Sequence, residues 1–258
     1  MPSAHALRLQ IEHALERRFP AALSPAPCRT LETAATGIGA VDDLLGGGLP
    51  IGAISEITGP ECSGRTTLAL AFLGRCTGAG QVCAWVDAGD AFDPESAAAN
   101  GVCLKQLLWV RCKKDERYGL QAKAKPWKKL DQAIRSTDLL LQAGGFSAIV
   151  LDLGSTAPEH ARRIPLATWF RFRQAARQTQ CSLVVITQSA CAQSSADAAL
   201  ACTPMRANAN GAVLNGFVYD VRSSRGAMAK PLLSVVGPRK PPMSTWTACG
   251  AWDMEKPA

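Results

Sequence analysis

Gly59-Pro60-Glu61-Cys62-Ser63-Gly64-Arg65-Thr66-Thr67 is the stretch whose reading decides the fold. Two glycines five positions apart, then a cation and two hydroxyls, have the spacing of a phosphate-binding turn. In such a turn the backbone N–H groups converge inward, and the N-terminal end of the following helix adds its partial positive charge. The flanks suit that reading. Ala53–Thr58 is a short apolar run that predicts a strand, and Thr66–Thr77, with Leu68, Leu70, Ala71, Phe72 and Leu73, predicts a helix. All nine residues are expected to line a nucleotide site. Thr66 is placed to offer its hydroxyl to Mg²⁺. Arg65 stands where lysine is usual. It keeps the charge, but a planar, bidentate guanidinium replaces a compact ammonium.

Outward from this turn, strands and helices alternate. Gln81–Asp87, Leu107–Cys112, Ser147–Leu153 and Ser182–Thr187 read as strands, and Leu130–Ala143 and Leu166–Gln178 as helices. This order predicts an α/β fold with a mostly parallel central sheet covered by helices on both faces. After about Ala212 the pattern shifts to shorter, hairpin-linked strands, Val213–Ser223, Pro231–Val236 and Ser244–Trp252, so antiparallel strands are expected toward the C-terminus. Pro238–Met243, with Arg239 and Lys240, cannot be an interior strand and reads as an exposed arm. Ala4–Arg18 places Leu7, Ile11, Leu15 and Phe19 four apart on one helix face. That face either packs on its own domain or docks a partner. The expected organisation is an N-terminal helix and linker (1–35), a nucleotide-binding core (36–220) and C-terminal strands and tail (221–258).

Composition sets outer limits. Apolar residues make up 47% of the 258 and charged residues 19%, which excludes a disordered chain. No apolar run reaches the roughly 20 residues that span a bilayer, and the first twenty residues lack the apolar core of a leader. A cytoplasmic protein with no membrane role is therefore expected. The ten cysteines include no C-x-x-C pair and only three histidines accompany them. Reduced core thiols are expected rather than a zinc site. The net charge of +7 favours an anionic partner. It is concentrated in Arg111–Lys129, where Arg111, Lys113, Lys114, Arg117, Lys123, Lys125, Lys128 and Lys129 face only Asp115 and Glu116, with Tyr118 and Trp127 interleaved. Such a segment is either a solvated loop or a surface for single-stranded nucleic acid, whose phosphates it neutralises and whose bases it stacks. Arg171, Arg173 and Arg177, beside Trp169, Phe170 and Phe172, form a second candidate surface for nucleic acid or a partner protein. The three aromatics cannot all point one way, so one is expected to be exposed.

Several segments taken together resemble the RecA/RadA recombinase superfamily. They are Thr36–Gly52, the turn Gly59–Thr67, Trp85-Val-Asp-Ala-Gly-Asp-Ala-Phe-Asp-Pro94, Ala148-Ile-Val-Leu-Asp152 and Ile186-Thr-Gln188. Arg163–Arg177, the following Thr187-Gln188, and Pro238-Arg-Lys-Pro-Pro242 are similar to the ImuA group within it. The resemblance implies ATP and Mg²⁺ as ligands. Asp152 is then a metal carboxylate, or else only a strand-end cap. Gln188 is a γ-phosphate sensor, or else only a strand cap. The superfamily's water-activating glutamate falls at Gly89, which has no side chain to serve as a base. Asp90, one residue on, is the substitute candidate.

The ImuA resemblance implies an accessory protein of DNA repair that acts in damage-induced (SOS) translesion synthesis. Its expected partners are RecA, or an ImuB-like or error-prone polymerase component, with single-stranded DNA and a homo-oligomer as further expectations. In that role ATP hydrolysis is weak or absent. The alternatives are an active DNA-dependent ATPase of recombinase type, and a pure interaction protein with a relic site.

Overall fold

The structure is a computed structural model, and it describes residues 31–112, 126–210, 213–225 and 243–249. The described residues from Glu32 onward cluster as one compact unit. The expected N-terminal helix Ala4–Arg18, the strand Pro231–Val236 and the arm Pro238–Met243 lie outside the described residues, except for Met243 itself. The first described elements are a two-stranded ribbon, β1 (Thr33–Ala34) with β2 (Leu49–Pro50), and helix α1 (Gly39–Leu45) between them. The main sheet then begins with β3 (Ile54–Thr58), followed by α2 (Arg65–Gly78), β4 (Cys83–Asp87), α3 (Pro94–Ala99), β5 (Leu107–Arg111), α4 (Pro126–Ala143), β6 (Ala148–Asp152), α5 (Pro158–Ala161), α6 (Leu166–Thr179) and β7 (Ser182–Thr187). The chain continues in β8 (Ala198–Asn210), β9 (Val213–Arg225) and β10 (Met243–Cys249).

The eight strands lie in the order β10-β9-β8-β3-β7-β6-β4-β5. From β8 to β5 every neighbouring pair is parallel, and β8-β9 and β9-β10 are antiparallel. The expected α/β class, with its late antiparallel strands, is what the structure has.

Strand alternation sorts the core into two layers. Ile57, Trp85, Val150, Val184 and Ile186 face α1 and α2, meeting Val41, Leu45, Leu68, Phe72 and Leu73. Their chain neighbours Ile54, Val86, Ile149, Leu151, Leu183 and Val185 face the opposite way, onto Leu130, Ala133 and Leu141 of α4 and Trp169 and Phe172 of α6. Successive side chains of a strand point to opposite faces. Runs apolar at every position are therefore what a sheet covered on both sides requires. On α6, Trp169 and Phe172 are fully buried while Phe170 is 50% exposed, which settles the expected split of the three aromatics. Cys76, Cys83, Cys112, Cys181, Cys191 and Cys202 are buried free thiols, whereas Cys62 and Cys103 are exposed.

The sequence reading missed β8. Ala198–Asn210 reads as an Ala- and Asn-rich run with a proline, yet it is a thirteen-residue strand. It is held by β3 on one side and β9 on the other, and the register shifts between Pro204 and Arg206. An irregularity of that kind is where a strand accommodates a proline.

One buried acid organises the far side of β3. Glu56 is 2% exposed, and its Oε1 accepts the N–H groups of Cys191 (2.6 Å) and Ala192 (3.1 Å). This carboxylate fixes the segment leaving β7 against the strand that leads into the Gly59–Thr67 turn. Glu56→Ala would leave two buried N–H groups without an acceptor. Urea unfolding should show a loss of roughly 2–5 kcal/mol, and hydrogen exchange should show faster exchange at the amides of Cys191 and Ala192. Unchanged protection there would refute the anchoring role.

Candidate nucleotide site

The turn between β3 and α2 sits where two neighbouring strands leave it no spare room. A Cβ on Gly59 would overlap the carbonyl oxygen of Cys202 on β8, and one on Gly64 would lie 2.9 Å from the Tyr219 ring on β9. Gly64 also takes φ +83°, a left-handed conformation that favours glycine. It precedes the first residue of α2 with no side-chain cap, so the first N–H groups of a fourteen-residue helix keep their hydrogen-bonding capacity for a ligand. Cys62 takes φ +57° in the same turn.

The side chains divide by exposure. Pro60, Glu61, Cys62 and Thr66 are exposed, Gly59, Gly64 and Thr67 are half-buried, and Ser63 and Arg65 are buried. The Ser63 hydroxyl and the Arg65 Nη1 have no hydrogen-bond partner among the described residues. Both could donate to an acceptor-rich ligand, a capacity shared by other buried donors without a partner, such as Trp85 Nε1 and Ser55 Oγ. Burial lowers the Arg65 pKa below its ordinary value, while Asp152, Cys202, Glu61 and Cys62 pull the other way. The group remains a cation at neutral pH, as arginine does in proteins.

Gly154, just beyond β6, joins the remaining candidates. Its N–H donates to Asp152 Oδ1 (2.9 Å), and its carbonyl accepts from Gln188 Nε2 (3.1 Å). The position a Cβ would take on Gly154 lies 3.0 Å from Asp152 Oδ1 and 3.7 Å from Arg65 Nη1. Arg65, Asp152 and Gln188, named from three separate stretches of sequence, therefore surround one backbone unit at the C-terminal ends of β3, β6 and β7. Burial pushes the Asp152 carboxyl up to about 6. Asp87 adds to that rise, and the Gly154 N–H and Arg65 oppose it.

Asp90 is not among them. Asp87, fully buried, accepts the N–H groups of Ala91 (3.1 Å) and Phe92 (2.9 Å), which folds the turn after β4. At its tip Asp90 has φ +60° and pairs with Arg111 Nε at 2.7 Å on the edge strand β5. Arg111 also stacks over Trp109, 4.7 Å from the ring centroid. Both the substitute base and the first cation of the basic segment are thus held by each other.

Gly89 is closed off in another way. A Cβ there would overlap the hydroxyl of Ser155, an exposed side chain, so a larger residue at 89 requires that hydroxyl to turn aside. Sequence reasoning missed Ser155, Tyr219, Cys202 and Glu56. Glu56 alone leaves a signal, an acid inside an otherwise apolar strand.

The second arginine surface is largely engaged. Arg171 pairs with Asp138 (3.0 Å), and Arg173, partly buried, pairs with Asp197 (2.5 Å). Arg177 is exposed. Lys113, Lys114, Arg117, Lys123 and Lys125 lie outside the described residues, as do the side chains of Trp127 and Lys128. Lys129 is half-buried near the start of α4. No helix among the described residues is long and apolar enough to cross a membrane.

The family described as the RecA N-terminal domain matches residues 5–158, more than half of the chain. Protein RecA of Brucella anthropi is 40% identical over 128 residues, 49% of this chain and 31% of that one. Protein RecA of Allorhizobium ampelinum is 41% identical over 123 residues, 47% and 30% of the two chains. The match thus spans about a third of the length of these curated relatives. The crystal structure of the RadB recombinase has the same fold, with a TM-score of 0.53 at 18% identity over 74% of this chain and 89% of that one.

The raised carboxyl makes a pH prediction. The folded chain holds the Asp152 proton more tightly than the unfolded chain, whose carboxyl titrates near 3.8. Ionising it therefore costs stability, fully above about pH 6 and not at all below about pH 4. Asp152→Asn should raise Tm relative to wild type at pH 7.5, and the gain should shrink as pH falls through 6 toward 4. A gain independent of pH would show that Asp152 is not the titrating group.

Proposed function

The chain belongs to the RecA N-terminal domain family, and from that premise we propose that it is an ATP-binding accessory protein of DNA repair that holds nucleotide with little or no hydrolysis. The observation that carries the reading is the pairing of a preserved phosphate turn with a filled base position. Gly59, Gly64 and the open end of α2 keep the anion cradle, and Ser63 and Arg65 present unpartnered donors within it. At Gly89, by contrast, the Ser155 hydroxyl stands where a water-activating side chain would have to reach. Asp90, the nearest acid, is drawn to Arg111. A general base must lie within hydrogen-bond reach of the water it activates, and neither residue meets that demand.

In this role nucleotide acts as an ordering ligand. It would tie together Gly154, Gln188 and the turn, and so set the shape of the surface offered to a partner. The resemblance of Arg163–Arg177 and Pro238–Pro242 to the ImuA group supports damage-induced translesion synthesis as the setting. RecA, or an ImuB-like or polymerase component, is then the partner. Phe170, half-exposed beside Arg171 on α6, is a candidate contact for it. The DNA-dependent ATPase reading keeps one supporting feature, the basic segment 111–129.

Thr66 and Asp152 are the residues that the family pattern would assign to Mg²⁺, and the surroundings do not favour a divalent ion there. Asp152 Oδ1 is already bonded to the Gly154 N–H, and a buried guanidinium faces the same space.

Calorimetric titration should show ATP and ADP binding, and phosphate release should stay at background with or without single-stranded DNA. DNA-stimulated turnover would overturn the accessory reading, and an absence of binding would make the turn a relic. The filled base position can be tested separately. Gly89 is outside the left-handed region, and the overlap a Cβ meets there is with Ser155. Gly89→Glu alone should leave turnover at background. The double variant Gly89→Glu/Ser155→Gly should raise it at least about tenfold, toward the 10²–10⁴ that a placed base supplies. Equal turnover in both variants would refute the obstruction.

A further inference from the structure

We propose that Arg65 is a built-in counter-cation that takes over the role of a divalent metal, so that this site binds the nucleotide triphosphate or diphosphate free of metal. The inference rests on the nucleotide-site reading above. It concerns which form of the ligand the site accepts.

Three independent features converge on it. The first is position. Arg65 opens α2, is 8% exposed, and directs Nη1 to the space over Gly154 that Asp152 Oδ1 also borders. A fixed positive charge therefore already stands against the strand-end carboxylate, where a metal ion's charge would otherwise be needed. The second is the unmet hydrogen bond. Nη1 is buried without an acceptor, and so is the Ser63 hydroxyl. A phosphate oxygen entering the turn supplies acceptors to both. The third is the chemistry of the group. A guanidinium offers several donors in a rigid fork that matches phosphate oxygens two at a time, whereas an ammonium acts as a point charge. Arginine in place of lysine thus raises what the protein alone can neutralise and bind. Asp152, facing that cation and bonded to Gly154, has less to offer a divalent ion, which would have to share one carboxylate with a guanidinium that cannot leave or deprotonate.

The consequence is a reversed preference. A metal-loaded nucleotide carries its own dication into the field of Arg65, while the free nucleotide brings its full negative charge. The free form should bind at least as well as the magnesium complex.

The test uses the full chain, with ATP and ADP titrated by calorimetry in excess Mg²⁺ and again in EDTA. The expected result is dissociation constants that differ by no more than about threefold between the two conditions, or tighter binding in EDTA. Binding that weakens tenfold or more in EDTA overturns the proposal and leaves the nucleotide-site reading standing. Binding in neither condition overturns both. Arg65→Lys, checked for folding by its unliganded Tm, provides the second arm. Binding in EDTA should fall at least about tenfold, whether or not Mg²⁺ restores it. Unchanged binding in EDTA by this variant would show that Arg65 is not the counter-cation.

Discussion

The contact on which the site depends is the seating of the Gly59–Gly64 turn beneath two strands that come much later in the chain. The Cys202 carbonyl lies where a Cβ of Gly59 would be, and the Tyr219 ring lies against Gly64. Because β8 pairs with β3 in parallel and β9 pairs with β8 antiparallel, this late hairpin forms one wall around the Gly59–Gly64 turn. The two glycines are required by that wall as much as by any ligand. A side chain at either position would force the sheet and the turn apart.

From that seating the polar groups fall into two sets with different tasks. Glu56, Asp87 and the Gly154 backbone are structural. Glu56 ties the exit of β7 to β3, Asp87 folds the turn after β4, and Gly154 collects Asp152 and Gln188. Ser63 and Arg65 are left with unmet donors. Both are donors a ligand could satisfy, and other buried groups, the Trp85 and Trp169 indoles among them, also lack partners among the described residues. Beside Gly89 the Ser155 hydroxyl takes up the space that a Cβ would enter.

How much of this was legible in the sequence follows from the range of each interaction. The parallel core was legible because strands buried on both faces are apolar at every position, and because the glycine spacing of the turn is local. Strand β8 was not, because its small residues and Pro204 carry no strand signature, and it is a strand only through its partners β3 and β9. Asp152 could be named from its place at a strand end, Arg65 from the glycine spacing before it and Gln188 from the family resemblance. Their meeting around Gly154 could not.

The sequence by itself determined the class of fold, the glycine spacing of the Gly59–Thr67 turn, the bare backbone at Gly89 and the arginine at 65. Each is a property of a residue and its near neighbours along the chain. The tertiary structure alone decided that Ser155 fills the space beside Gly89, that Asp90 turns to Arg111, and that Arg65 is buried toward Asp152. Those outcomes depend on which strand ends the sheet order sets side by side, and pairing between segments many residues apart is a matter of packing that no local pattern encodes.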